Sequence, residues 1–436
     1  MTPAARVAAA IEVLGLIEAL DRPADRVVER WFKGHRFAGS KDRAAINEII
    51  YGVLRHRAAL AWDVGRFAGE PRVGPRSLVL AELARSETLD HAGIAAHFDS
   101  SRYGPSKLTK EEDQLLENIL SSSGEEPTRP DWVIANCPDW LFGEIRESLG
   151  DATAAELNAM QRRPALDLRA NTIKATPEEV IRALAEEGVR AERCSHASSA
   201  LRVRERASVR GTQAYRDGLV EIQDEGSQVA AALVDARSGQ TVVDLCAGAG
   251  GKSLALAATM MNQGLIYACD VSSTRLKRME PRLRRAGVTV VQPVKLSGVD
   301  DSRLDELANS ADRVLVDAPC TGVGTIRRNP DLPWRLSPAD IERNLLVQRE
   351  ILNGAAKLVS PGGRLIYVTC SLLESENGAQ IRNFMAEHTD FHAMRVGPIW
   401  SDVLDSSAPD LDDTVLLTPA RYGTDGFFVA VLERRE

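Results

Sequence analysis

VVDLCAGAGGKS, residues 242–253, decides the fold. Two β-branched residues lead into an acidic position, and glycines at 248, 250 and 251 then separate this buried run from the apolar helical pattern of SLALAATMM. A strand, a tight glycine turn and a helix start form the opening unit of a doubly wound α/β sheet, where backbone N–H groups and a helix N-terminus approach an anionic ligand. Counting excludes two relatives of this loop. A phosphate-binding P-loop requires glycine where Cys246 stands, and a dinucleotide fingerprint starting at Gly248 requires it where Ser253 stands. The remaining D-x-C-x-G-x-G-G-K-S loop suits a carboxylate, such as the methionine end of S-adenosylmethionine.

Downstream the alternation continues through LIYACD, STRLKRMEPRLRRAG, RVLVD, a long helix to Leu358 and GRLIYVTC, which reads as a parallel sheet. The closing TVLLTPARYGTDGFFVAVLE reads as an antiparallel edge pair. Asp270 ends the second strand about twenty residues after the loop, where a carboxylate accepts hydrogen bonds from ribose hydroxyls or caps the following helix. Strands also deliver Asp317 with the Ala-Pro-Cys320-Thr-Gly loop, and Thr369-Cys370-Ser371, to the same sheet end. A lone cysteine is most often a buried thiol. Two at strand ends beside a cofactor loop fit methylation of cytosine carbon 5, which is a poor nucleophile until a thiolate adds to carbon 6, with an acidic group such as Asp317 at the base edge.

Upstream, residues 1–120 carry helical periodicity throughout, with a Thr109–Glu112 capping box, up to the Ser/Gly/Pro-rich break SSSGEEPTRP at 121–130. A helical stretch at 131–160, the strand-like ALDLRANTI, the helix TPEEVIRALAEEGV and a basic strand-rich segment make a small α+β module. We therefore place boundaries at 1–125, 126–232 and 233–436. The net charge of −8 is a weak argument against nucleic acid, but residues 271–295 hold a net +6 and residues 1–60 a net +3. Six cysteines without a C-x-x-C pair exclude a zinc-finger pattern and a disulfide framework, so no metal and a reducing, cytoplasmic setting are expected. No apolar run is long enough to span a membrane, and Glu12 and Glu18 interrupt the apolar N-terminus.

DLCAGAGGKS, DAPCTGVGTIRRNPD, YVTCSLLESEN and GTDGFF, in this order, resemble the Fmu/Sun (RsmB-type) family of RNA cytosine-5 methyltransferases from about residue 130 to the end. LRANTIK (168–174) and IQDEGSQ (222–228) resemble the family's amino-side catalytic segments, implying a small RNA-recognition-like subdomain, and DRAAINEIIYGVLRHR resembles the NusB-type helical RNA-binding domain. The resemblance implies a Rossmann-like class I methyltransferase sheet, S-adenosylmethionine as cofactor and 16S ribosomal RNA as partner, with transfer RNA or a non-catalytic assembly role as alternatives. A monomer is expected. It also implies Cys370 as nucleophile, Cys320 as the aid to product release and Asp317 as the base contact, with Cys246, Ala247, Gly248, Ala249, Gly250, Gly251, Lys252, Asp270 and Asp317 as cofactor contacts. Ala249 stands where the family's A-A-P-G-G-K-T form has proline. No acidic residue near the adenine is obvious, Asp300 and Asp301 being the candidates.

Overall fold

The computed structural model describes residues 1–20, 22–67, 73–86, 89–121, 129–205, 207–409 and 412–436, so most of the 121–130 break lies outside the described residues. The chain divides into two compact units. The first is Met1–Arg163 together with Ile326–Leu336; the second is Pro164–Thr325 with Ser337–Glu436.

The first unit is helical among its described residues. Helices Pro3–Ala19, Ala24–Gly34, Ser40–Phe67, Pro75–Arg85 and Lys110–Ser121 bury a shared stripe that includes Val13, Ile50, Leu54, Leu80 and Leu116. The Thr109 capping box is formed, with Glu112 N–H donating to Thr109 Oγ1 at 3.2 Å and Thr109 N–H to Glu112 Oε2 at 3.0 Å. The segment Ile326–Leu336, which follows the Ala-Pro-Cys loop in sequence, packs with these helices. Asp331 accepts from Ala24 N–H at 3.0 Å and from Arg335 at 2.7 Å, and the Arg57 guanidinium lies 5.2 Å from the Trp334 ring centroid.

The second unit contains two sheets. The smaller joins β1 (Leu166–Ala170), β2 (Glu192–Arg193), β3 (Ala200–Val203) and β4 (Val220–Ile222) in the order β2-β3-β1-β4, all antiparallel. Its helix Pro177–Glu186 begins at a Thr176–Glu179 capping box. The larger sheet comprises β5 (Thr241–Asp244), β6 (Leu265–Asp270), β7 (Val291–Lys295), β8 (Ala311–Asp317), β9 (Val359–Thr369), β10 (Phe391–Ala393), β11 (Thr414–Leu417) and β12 (Phe427–Arg434). Strands β7, β6, β5, β8 and β9 run parallel, and β12 adds antiparallel to β9. Helices cover both faces, which is why β8 and β9 read as unbroken apolar runs such as Val314–Val316 and Leu365–Val368, all of them 0% exposed. This is the Rossmann-like α/β sheet expected from the loop. The expected antiparallel edge pair is formed by β11 and β12 next to β9, and one strand is added to it: β10 pairs with the second half of β12 along the side facing away from β9. The short β10 gave too few alternating residues to be read as a strand.

Candidate active site

The carboxyl ends of β5, β6, β8 and β9 open onto one cleft of about 750 Å³. Ligands of doubly wound sheets bind there, at the switch point where strand order reverses. The glycine loop forms one wall. Gly250 takes φ +79° as the N-cap of helix Gly251–Thr259, and a Cβ on it would stand 2.5 Å from Met279 Cγ, so a side chain is excluded by both conformation and contact. Gly250 shapes the turn, whereas Cys246, Ala247, Gly248, Ala249, Gly251 and Lys252 line the cleft. The first-turn amides of that helix have no partner within it and face the end of the sheet where an anion would sit.

Asp270 lines the cleft and is 5% exposed. Its carboxylate accepts from Gly248 N–H at 2.9 Å and Ser272 N–H at 2.6 Å, so it both fixes the glycine turn and turns the chain into the helix Ser273–Ala286. Leu296, whose N–H donates to Asp270 O at 3.1 Å, lines the cleft beside it together with Gly298 and Val299. Neither Asp300 nor Asp301 lines the cleft. Asp301 is taken up by the Arg303 guanidinium at 2.6 Å and by Ser297 N–H at 2.7 Å, which hold its carboxyl far below the usual range.

Asp317 lies at the end of β8 and forms an ion pair with Lys252, Nζ to Oδ2 2.7 Å. Lys252 itself is 8% exposed and its ammonium is 5.2 Å from the Phe427 ring centroid. Three residues on, Cys320 Sγ is 3.5 Å from Cys370 Sγ. The Cys320 thiol is pushed well above its usual value, first by its hydrogen bond to Cys370, then by burial and the Glu376 charge. Cys246 is raised too, chiefly by burial and then by Asp317, Asp244 and Asp270. Of the four cysteines near the sheet end, Cys269 sits beneath it in the core and lines no part of the cleft.

Several residues absent from the sequence reading build this site. Glu376 is 0% exposed and accepts from Thr321 N–H at 2.9 Å, Thr321 Oγ1 at 2.5 Å, Gln348 Nε2 at 3.2 Å and Asn344 Nδ2 at 3.3 Å, which fixes the loop carrying Cys320. Asn377 does the same for the Cys370 loop, accepting from Thr369 Oγ1 at 2.6 Å and donating to Ser371 O at 3.0 Å. Arg282 donates to Ala249 O at 2.6 Å while Glu221 on β4 holds its other side at 3.1 Å. The position where the related loop has proline is thereby pinned through a guanidinium. Beneath the loop, Asp244 is wholly buried. Ser253 Oγ donates to its Oδ2 at 2.6 Å, and burial pushes its carboxyl up to about 7.

Sheet order, glycine loop and acidic strand end together define a class I methyltransferase that uses S-adenosylmethionine. Residues 231–433 match the family model of the 16S rRNA methyltransferase RsmB/F, and residues 137–210 match the ferredoxin-like domain of RsmF/B-like methyltransferases. The chain is similar to the putative methyltransferase MT1451 of Mycobacterium tuberculosis, 32% identical over 100% of this chain and 97% of that one. It is also similar to the probable ribosomal RNA small subunit methyltransferase B of Bacillus subtilis, 29% identical over 91% of each. Among solved structures, that of PH0851 superposes with a TM-score of 0.76 at 30% identity, covering 100% of this chain and 99% of that one. The chain belongs to the RsmB/F family of 16S rRNA methyltransferases.

Proposed function

We propose that this protein methylates carbon 5 of a cytosine in RNA, with 16S ribosomal RNA as the substrate, through a covalent adduct to Cys370. The observation that carries the reading is the thiol pair. Cys320 and Cys370 come from two loops fifty residues apart, yet their sulfurs lie 3.5 Å from each other and both residues line the cofactor cleft. A purely structural pair of free thiols has no need of that position.

The cleft suits S-adenosylmethionine: Asp270 for the ribose hydroxyls, the glycine turn and helix N-terminus for the methionine carboxylate, and an apolar wall at Leu296 and Val299 for the adenine. When bound, the cofactor supplies an electrophilic methyl group. The chain's own residues supply the rest. Cys370, as thiolate, forms a bond to carbon 6, and the displaced electron pair makes carbon 5 nucleophilic. Asp317, held by Lys252, presents its second oxygen to the polar edge of the base, where it accepts from the exocyclic amino group and orients the ring for addition. Cys320, kept neutral by its surroundings, donates to Cys370 before attack. After methyl transfer the proton on carbon 5 must leave as the carbon–sulfur bond breaks and its electron pair returns to Cys370. Cys320, having released its own proton to solvent while Cys370 is held in the adduct, is the acceptor. Residues 1–125 are assigned to RNA binding.

The test is adduct trapping. Cys370→Ala should abolish methyl transfer and form no RNA-linked protein, whereas Cys320→Ala should transfer methyl and then stall as a covalent species on a denaturing gel. The reverse pattern would exchange the two roles. Bisulfite sequencing of total RNA from a deletion strain reads the base and its RNA, and a lost mark in transfer RNA would redirect the substrate.

A further inference from the structure

Among the described residues, Phe37 and Tyr103 are the aromatic side chains left largely in solvent, at 70% and 67% exposure. They come from segments more than sixty residues apart, yet both line one cavity of about 650 Å³ in the helical unit, with Glu12, Trp31 and His35. The rings are organised. Trp31 and His35 stack with centroids 3.9 Å apart, and Phe37 meets His35 edge-on at 5.7 Å. The Arg102 guanidinium lies 5.2 Å from the Tyr103 centroid, and the exposed Arg36 and Lys41 are sequence neighbours of Phe37.

We propose that this cavity takes one unpaired nucleobase of the RNA substrate, stacked against Phe37 and Tyr103, with the neighbouring phosphates met by Arg36, Lys41 and Arg102. The inference rests on the reading that residues 1–125 bind RNA, and adds where and how. Exposed rings flanked by cations are what single-stranded nucleic acid requires, because every base has a face to stack and every linkage carries a negative charge. The acidic residue decides between base and phosphate. Glu12 would repel a phosphate, but for a base it is an acceptor. Trp31 Nε1 donates to its Oε1 at 3.0 Å, leaving Oε2 for an amino or imino group on the base edge. Likewise His35 Nδ1 donates to Trp31 O at 2.8 Å, since a carbonyl can only accept, so Nε2 is the ring atom left for a ligand.

The experiment uses the full chain and a fluorescein-labelled, unstructured RNA 20-mer, with anisotropy followed across salt concentration. The double variant Phe37→Ala/Tyr103→Ala should raise Kd at least about tenfold and leave the salt slope unchanged, because stacking releases no counterions. The ring-preserving pair Phe37→Tyr/Tyr103→Phe should restore affinity. An unchanged Kd in the alanine variant, or equal loss in both pairs, overturns the inference. Cross-linking of 4-thiouridine RNA to the unaltered chain separates the two levels. Cross-links within residues 1–125 that avoid this cavity leave the RNA-binding reading in place and sink the base site; none within those residues sinks the underlying reading as well.

Discussion

Glu376 offers the sharpest test of how the thiol loops are held, because its side chain touches the Cys320 loop and no ligand is needed to state the expected effect. Replacing it by Ala leaves Thr321 N–H and the Asn344 amide without the acceptor they have now, while Gln348 keeps Pro319 O at 3.0 Å. A buried donor deprived of its partner costs about 1–3 kcal/mol, and the void left by the side chain adds to that, so Glu376→Ala should lose about 3–5 kcal/mol. Glu376→Gln behaves differently. Its oxygen can occupy the Oε1 position and keep three donors, and its amide meets Thr321 Oγ1, which can rotate to accept. Only the charge assistance is lost, about 1–2 kcal/mol. For a unit of this size each kcal/mol moves Tm by about 2–4 °C, so the two variants should separate clearly in a thermal melt. Attack by Cys370 should persist in the alanine variant while the RNA-linked species accumulates, as for Cys320→Ala, because the displaced loop is the one that carries Cys320. Equal melting shifts for Ala and Gln, or a loss below about 1 kcal/mol for Ala, would refute the account of a multiply bonded buried carboxylate.

Asp270→Ala should weaken S-adenosylmethionine binding by about 1–3 kcal/mol in titration calorimetry, and Asp270→Asn, which keeps one acceptor for the Gly248 amide, by less; equal affinity in all three proteins would remove Asp270 from the site. Asp244 predicts a pH effect in the cofactor-free protein. Its carboxyl lies at about 7 in the fold against an ordinary 3.8, so the native state holds the proton more tightly, and this stability is full below about pH 4 and lost as pH rises through 7. Asp244→Asn, which cannot ionise, should therefore show a smaller fall in Tm between about pH 4.5 and 7.5 than the unaltered chain. An identical fall would show that Asp244 is not the group titrating.

Much of the sheet and part of the cleft were legible because they are set locally. The glycines at 248, 250 and 251 impose a turn whichever neighbours surround them, and apolar runs ending in Asp270, Asp317 and Cys370 mark strand ends without reference to the rest of the chain. What escaped reading depends on partners brought by topology. Glu376 sits in SLLESEN, where an acidic residue reads as surface, and is buried only because residues 321, 344 and 348 converge on it. The segment Ile326–Leu336, which follows the Ala-Pro-Cys loop in sequence, groups with the helical unit, a pairing that no local pattern announces.

The basic run at 271–295 shows how far composition alone reaches. Its net +6 reads either as a solvated helix face or as an RNA contact, yet the charges divide between two fates. Leu276, Met279, Leu283 and Ala286 form the buried stripe of helix Ser273–Ala286. Lys277 and Arg284 lie across from it in solvent, while Arg282 flanks the stripe and is drawn with Arg285 onto Glu221. Helical period thus separates the far-side charges from the rest, but it cannot reveal that Glu221, sixty-one residues earlier on another sheet, waits for Arg282. That pairing turns a surface cation into the clamp on Ala249 O. The charge available to RNA on this helix is therefore smaller than the sequence total, and it is carried by the exposed Arg275, Lys277, Arg278 and Arg284.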